Sequence, residues 1–316
     1  MRITTTMMNS SMLQSLNKNL QNLDKYQKKI ATGKEFSKPS DDPIGVSKSL
    51  TLNTTLSKLE QYKSNTEDAL SWMEITETAV SNVEDIILRA KELTTQAANG
   101  TYSAEDRTSM KAEIDQLKEQ LIQIANTTYM GKNIFSGYKT DQKLLDSNGN
   151  YIIDSTDEPK MYSVGVNENI SINVLGYQIF GRTGETAPPY TTIDTVDVTA
   201  AGTGEKSQLI AVFEELSDAL DVDDDARIGN SLDRLNNHLD NVLAAWTEIG
   251  AKVNRVELTV NRIADDVVGY TELLSKNEDA DYAETIMQFQ MYQNVYNASL
   301  SVTSSVIQKS LVDFMR

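Results

Sequence analysis

Ile228, Leu232, Leu235, Leu239, Val242, Trp246, Ile249, Val253, Val256, Val260, Ile263, Val267, Tyr270 and Leu274 are spaced alternately four and three residues apart, and every one is apolar or aromatic. A stripe with this heptad period lies along one side of an α-helix and needs a partner helix over its whole length. At 1.5 Å per residue it predicts a rod of roughly 70 Å. A rod of that kind suits a structural or assembly protein better than a globular enzyme.

The stripe has counterparts elsewhere in the chain. Leu52, Leu56, Leu59, Lys63, Thr66, Leu70, Met73, Thr76, Val80, Val83, Ile87, Ala90, Thr94 and Ala97 form a second seam, on a helix expected from Pro43 towards Asn99. Asp42 is its expected N-cap, Pro43 suits the first helical position, and Asn99-Gly100 closes it. Ser103-Ala104-Glu105-Asp106 reads as the capped start of a third helix, with Met110, Ile114, Leu117, Leu121 and Ile124 as its seam. Leu13, Leu16, Leu20, Leu23, Gln27 and Ile30 give a first-arm seam that stops at Gly33. Ile286, Phe289, Tyr292, Tyr296, Leu300, Thr303, Ile307, Leu311 and Phe314 give a last-arm seam.

Between these helices the period changes to two. Tyr162, Val164 and Val166, then Ile170, Ile172 and Val174, alternate as strands do. Asn148-Gly149 reads as a hairpin turn, and Gly181, Gly184, Pro188, Pro189, Gly202 and Gly204 mark loops. Helix resumes with Ile210, Phe213, Leu216 and Leu220, followed by the acidic turn Asp221–Asp225.

These segments predict a mainly α protein: a long antiparallel coiled-coil helical rod with paired N- and C-terminal helical arms and a small β-rich insertion domain. The expected parts are arms at 1–34 and 282–316, a rod at 43–138 and 207–275, an insertion at 139–206, and linkers at 35–42 and 276–281. The helices are expected to keep their content without the insertion. The arms are nearly equal in length, so they can lie side by side with both chain ends at one tip. A two-helix seam alone is marginal, because ordering its backbone offsets what the seam buries. The arms are therefore expected to become ordered against neighbouring subunits, through Leu13, Leu16, Leu20, Leu23, Ile30, Phe289, Tyr292, Tyr296, Leu300, Ile307, Leu311 and Phe314.

Composition removes other functions. A net charge of −17 argues against nucleic-acid binding, which needs a basic face. Only residues 1–38 lean the other way, with seven Lys/Arg against Asp24 and Glu35. The chain has no cysteine, so no disulfide and no Cys metal site is expected. Met1 to Met8 lacks the apolar stretch of a secretory signal, and no run is long enough to span a membrane. The one histidine, His238, is expected on the surface or rim, without the partners that catalysis or a metal requires. Asp221–Asp225 lacks the Gly and Glu of a calcium loop, and Asp146–Asn150 has Tyr151 where that Gly is needed. Gly131-Lys132-Asn133 lacks the phosphate-loop frame. No enzymatic activity, cofactor or metal is expected.

Three stretches carry a resemblance. Ala90-Lys-Glu-Leu93-Thr-Thr-Gln96-Ala97-Ala98-Asn99-Gly100-Thr101-Tyr102-Ser103, Tyr129-Met-Gly131-Lys-Asn-Ile134-Phe-Ser-Gly137 and Glu248-Ile-Gly250-Ala251-Lys-Val-Asn254-Arg255-Val-Glu257 resemble the flagellin superfamily. Within it, Lys38-Pro39-Ser40-Asp41-Asp42-Pro43-Ile44-Gly45 and the ending Ser310-Leu311-Val312-Asp313-Phe314 are similar to the hook–filament junction branch. Filament flagellins typically have Asp-Asp-Ala-Ala-Gly at the first of these. Asp279-Ala-Asp281-Tyr282-Ala283-Glu284 keeps the flagellin pattern, with Lys276-Asn277 in place of its Arg-Ile.

The resemblance implies a structural adaptor that joins the hook region to the filament. Copies of the chain would form a layer between hook-associated protein 1 and flagellin, with the arms inside and the rods outside. It implies an extracellular place in the bacterial flagellum and export by the flagellar type III apparatus without a cleaved signal. An export chaperone would hold the C-terminal arm in a groove. Filament flagellin is the alternative within the superfamily, and a coiled-coil binding module unrelated to flagella is the alternative outside it.

Overall fold

The computed structural model describes residues 5–99, 103–153, 160–166, 168–185 and 193–312. Its elements are α1 (Thr5–Thr32), α2 (Pro43–Ala98), α3 (Ala104–Ala125), β1 (Thr128–Tyr129), β2 (Lys132–Asn133), β3 (Met161–Gly165), β4 (Glu168–Ser171), α4 (Gly176–Phe180), α5 (Gln208–Val222), α6 (Asp225–Glu278) and α7 (Tyr282–Val312). The chain is mainly helical, with two small antiparallel sheets, β1–β2 and β3–β4. It divides into a terminal unit, Met1–Leu59 with Asp265–Arg316, and a middle unit, Glu60–Ala264.

Local chemistry sets the helix ends. Gly33, at φ +70°, stops α1 in a conformation that suits glycine. The Asp42 carboxylate accepts from the Ile44 amide at 3.1 Å and starts α2. Ser103 and Asp106 form a reciprocal capping box at the start of α3. Asp281 starts α7 by accepting from the amides of Ala283 at 2.8 Å and Glu284 at 3.2 Å. The α6 helix runs past its last seam residue, Leu274, as far as Glu278. Ser275 to Glu278 are polar but tolerate helix, and Lys276 pairs with Glu272 one turn back at 2.7 Å. Gly100, Pro188 and Pro189 lie outside the described residues.

The middle unit holds one continuous hydrophobic core. From α2 it takes Met73, Val80, Val83, Ile87 and Ala90; from α3 it takes Ile114 and Leu121. The α5 helix is buried nearly all round, with Leu209 to Phe213, Leu216, Ala219 and Leu220 inside. The insertion joins this same core through Leu144, Leu145, Tyr151, Ile170, Ile172 and Phe180, beside Phe135 just before it. Phe135 meets Phe180 edge to face, with centroids 5.8 Å apart. The buried Tyr151 hydroxyl donates to the Gly181 carbonyl at 2.7 Å. The insertion and α5 therefore share one core.

Strand content in the insertion is small. The β3–β4 hairpin follows the alternation of Tyr162, Val164, Ile170 and Ile172, with Tyr162 paired to Ile170. It is fastened to two helices. The Asn65 amide on α2 donates to the Ser163 carbonyl at 3.0 Å, and Glu168 receives Arg262 of α6 at 2.8 Å and Arg255 at 3.5 Å. Bonding by both arginines holds the Glu168 carboxyl below the ordinary carboxylate range. The expected turn at Asn148-Gly149 is present. Asp146 accepts from the amides of Asn148 and Asn150, both at 2.8 Å, and Leu145 bridges to Tyr151.

The heptad stripe of α6 is real but divided. Within the middle unit Ile228, Leu235, Val242, Ile249, Val256 and Ile263 are fully buried at seven-residue spacing. Leu232, Leu239, Trp246, Val253 and Val260 are only half-buried. The other flank of the buried row is Ser231, His238 and Thr259, all buried.

His238 is thus a core residue, and the expectation of a surface position is corrected. It is 1% exposed, and neither ring nitrogen has a hydrogen-bond partner. The loop after α4 closes over it. Gly181 has φ +64°, and a Cβ there would lie 2.6 Å from Gln208 Oε1 and 3.4 Å from His238 Cε1.

Candidate assembly surface

The terminal unit is built differently. Among the described residues its one fully buried large apolar side chain is Phe36; the other buried large apolar residues belong to the middle unit. Phe36 lies against Gly45, where a Cβ would come within 2.8 Å of its ring. The remaining contacts of the unit are a helix pair and a polar brace.

The α1 and α7 helices pair antiparallel. Tyr26 stacks on Tyr292 with centroids 5.3 Å apart and planes 23° apart. Asn19 donates to Ser299 at 3.5 Å nearer one end, and the Tyr282 hydroxyl donates to the Ile30 carbonyl at 2.9 Å at the other. The break below the pair is cross-linked by backbone. The Glu35 amide donates to the Glu278 carbonyl at 2.7 Å, and the Ala280 amide to the Gly33 carbonyl at 2.9 Å. Lys34 pairs with Glu278, and Asn277 donates to the Gly45 carbonyl at 3.0 Å and to Ser49 at 2.8 Å. The segments joining arm to long helix are bonded to one another.

The expected arm residues fall into three groups. Leu16, Leu23, Ile30, Phe289, Tyr292 and Tyr296 are half-buried and share the faces on which Tyr26, Asn19 and Ser299 make the α1–α7 contact. Leu13, Leu20 and Leu300 are exposed, at 57%, 45% and 43%. Ile307 and Leu311 lie in α7 with side chains outside the described residues, and Phe314 lies wholly outside them. The aromatic seam of α7 is therefore spent largely within the chain.

A second apolar row on α7 did not enter the sequence reading. Met287, Met291, Val295 and Val302 are exposed, and their near four-residue spacing puts them along one face. The spacing is legible in the sequence, but Tyr292 and Tyr296, next to Met291 and Val295, give the larger seam. At the far end of the pair Met7, Met8 and Met12 of α1 face Val295, Ala298 and Val302 across an open groove of about 700 Å³. An exposed apolar face of this kind marks an interaction surface.

The other candidates resolve as structure. The acidic turn after α5 is paired in part from α3: Arg107 pairs with Asp223 and, at 3.0 Å, with Asp225, while Lys111 pairs with Asp221 at 2.9 Å. Lys28 pairs with Asp24 at 2.5 Å, and Lys29 with Glu35. Gly131-Lys132-Asn133 forms the β1–β2 hairpin, where Met130 and Gly131 both have positive φ. Among the described residues no group of His, Cys, Asp or Glu could hold a metal, and no helix is long and apolar enough to cross a membrane.

The chain is similar to known proteins. The bacterial flagellin N-terminal helical region matches residues 3–140, and the bacterial flagellin C-terminal helical region matches residues 230–315. Flagellar hook-associated protein 3 of Escherichia coli (strain K12) is 29% identical over 95% of each chain. Flagellin of Listeria innocua is 24% identical over 98% of this chain and 96% of its own. Among solved structures, a flagellar hook-associated protein-3 from Legionella pneumophila has a TM-score of 0.59 at 16% identity, over 72% of this chain and 98% of its own.

Proposed function

The chain belongs to the bacterial flagellin family, whose helical regions it matches at both ends, and from that premise we propose that it is the structural subunit joining the flagellar hook region to the filament. One observation carries the proposal. Among the described residues the terminal unit encloses a single large apolar side chain, while its helix pair leaves Leu13, Leu20, Met287, Met291, Val295 and Val302 exposed. Apolar rows of that length are stable when covered, and copies of the same chain carry matching rows. The arms then form the inner layer of the assembly.

The likeness to the Escherichia coli hook-associated protein over nearly the whole chain supports the junction role, as does Pro43 at the start of α2. In that place the subunits contact hook-associated protein 1 on one side and flagellin on the other. The chain reaches the flagellum, outside the cell, through the flagellar type III apparatus with its N-terminal region uncleaved, and a chaperone covers α7 beforehand. Its work is packing rather than catalysis.

Labelled antibody against this chain on detached flagella tests the reading. Label confined to the hook end is expected. The match to Listeria flagellin over 98% of this chain favours a second reading, a filament subunit. Label along the shaft would establish that reading and overturn the first.

A further inference from the structure

Four methionines stand among the exposed apolar residues of the arms. Met7 is 65% exposed, Met8 42%, Met287 61% and Met291 47%, against 1% for Met73 and 8% for Met110 in the middle unit. Met7 and Met8 form one wall of the groove that Val295 and Val302 complete from α7, and Met287 and Met291 continue that row by whole helical turns. Leucine would offer similar apolar area. Methionine offers in addition a sulfur that can be oxidised and restored.

We propose that Met7, Met8, Met287 and Met291 are a modification site, oxidised by a peroxide to sulfoxides that close the arm face to assembly. In each step the sulfur attacks the peroxide, an S–O bond forms as the O–O bond breaks, and the thioether loses two electrons. Hydrogen peroxide is reduced to water. The sulfoxide oxygen is a strong hydrogen-bond acceptor, and burying it unpartnered in an apolar contact is unfavourable. Covered arms shield the same sulfurs, so the modification acts on the unassembled chain. The inference rests on the reading of the arms as the assembly surface.

The purified full-length chain is titrated with hydrogen peroxide, mapped by peptide mass and followed by sedimentation for self-association. The four arm methionines are expected to oxidise well before Met73 and Met110, and association is expected to weaken by about tenfold or more. Methionine sulfoxide reductases with dithiothreitol should restore it. Met130 and Met161, exposed in the middle unit, serve as controls. M130L/M161L should remain sensitive to peroxide, whereas peroxide should leave the association of M7L/M8L/M287L/M291L at that variant's own untreated level. The proposal is overturned if Met73 oxidises at the pace of the arm residues, or if the oxidised chain associates as well as the untreated one. A chain that never self-associates under any condition removes the arm reading itself, and the inference with it.

Discussion

Burial, with no compensating partner, sets the titration of His238. It lowers the imidazole from the ordinary 6.5 to about 4. Above pH 6.5 the ring is neutral in both folded and unfolded chain, and folding loses nothing. Between pH 6.5 and 4 the unfolded chain binds a proton that the folded core refuses, so stability falls as pH falls through that window. The full span corresponds to roughly 3 kcal/mol. Urea unfolding at pH 7 and pH 5, before most carboxylates titrate, should show the onset of the loss in the native chain. The loss should be absent in His238→Leu, whose side chain asks for no hydrogen bond; an equal slope in both chains would assign it elsewhere. The heptad position of His238 was visible in the sequence. Its burial was not, because Gly181, which lies against it, comes from a segment whose approach no local pattern announces.

At the scale of the helix, the α6 stripe shows what periodicity can and cannot resolve. The four-three spacing fixed the buried row correctly, because Ile228, Leu235, Val242, Ile249, Val256 and Ile263 repeat every seven residues and all are fully buried. It then took the larger side chains at Leu232, Leu239 and Trp246 as the second row. The structure buries the opposite flank, at Ser231, His238 and Thr259. Apolar size and burial part company wherever a neighbouring element comes close. Capping signals at Asp42, Ser103 and Gly33 were legible because their chemistry is local. The same ambiguity hid the open row of α7 behind its aromatic seam. Truncation separates the rows. Leu235→Ala should cost about 2–5 kcal/mol in denaturant unfolding, as a cavity in a packed core does. Leu258→Ala, on the exposed side, should stay within about 0.5 kcal/mol. Similar losses at both positions would mean that the row is not the core edge it is drawn to be.

At the scale of the whole chain, the two compact units differ in kind. The middle unit encloses α5 between helices and insertion, and Phe135, Tyr151 and Phe180 belong to the same core as Val83 and Leu121. Removing residues 140–206 should therefore lower helicity by circular dichroism and broaden thermal unfolding, because α5 loses the wall that makes its all-round burial possible. Unchanged helicity would mean that the insertion is an accessory. The terminal unit has hydrogen-bonded helices but almost no interior, and a helix pair without an interior opens locally at little cost in free energy. Amide exchange reads this difference directly. In the isolated chain, residues 10–30 and 286–304 should exchange orders of magnitude faster than residues 73–97 and 209–220, although both sets are helical. In the assembled state the arm residues should slow towards the values of the middle unit, because the rows at Leu13, Leu20, Met291 and Val295 would then be covered. Strong protection of the arms in dilute monomer would contradict the role given to their open rows. It would require an interior that the terminal unit, with Phe36 as its one buried large apolar side chain among the described residues, does not have.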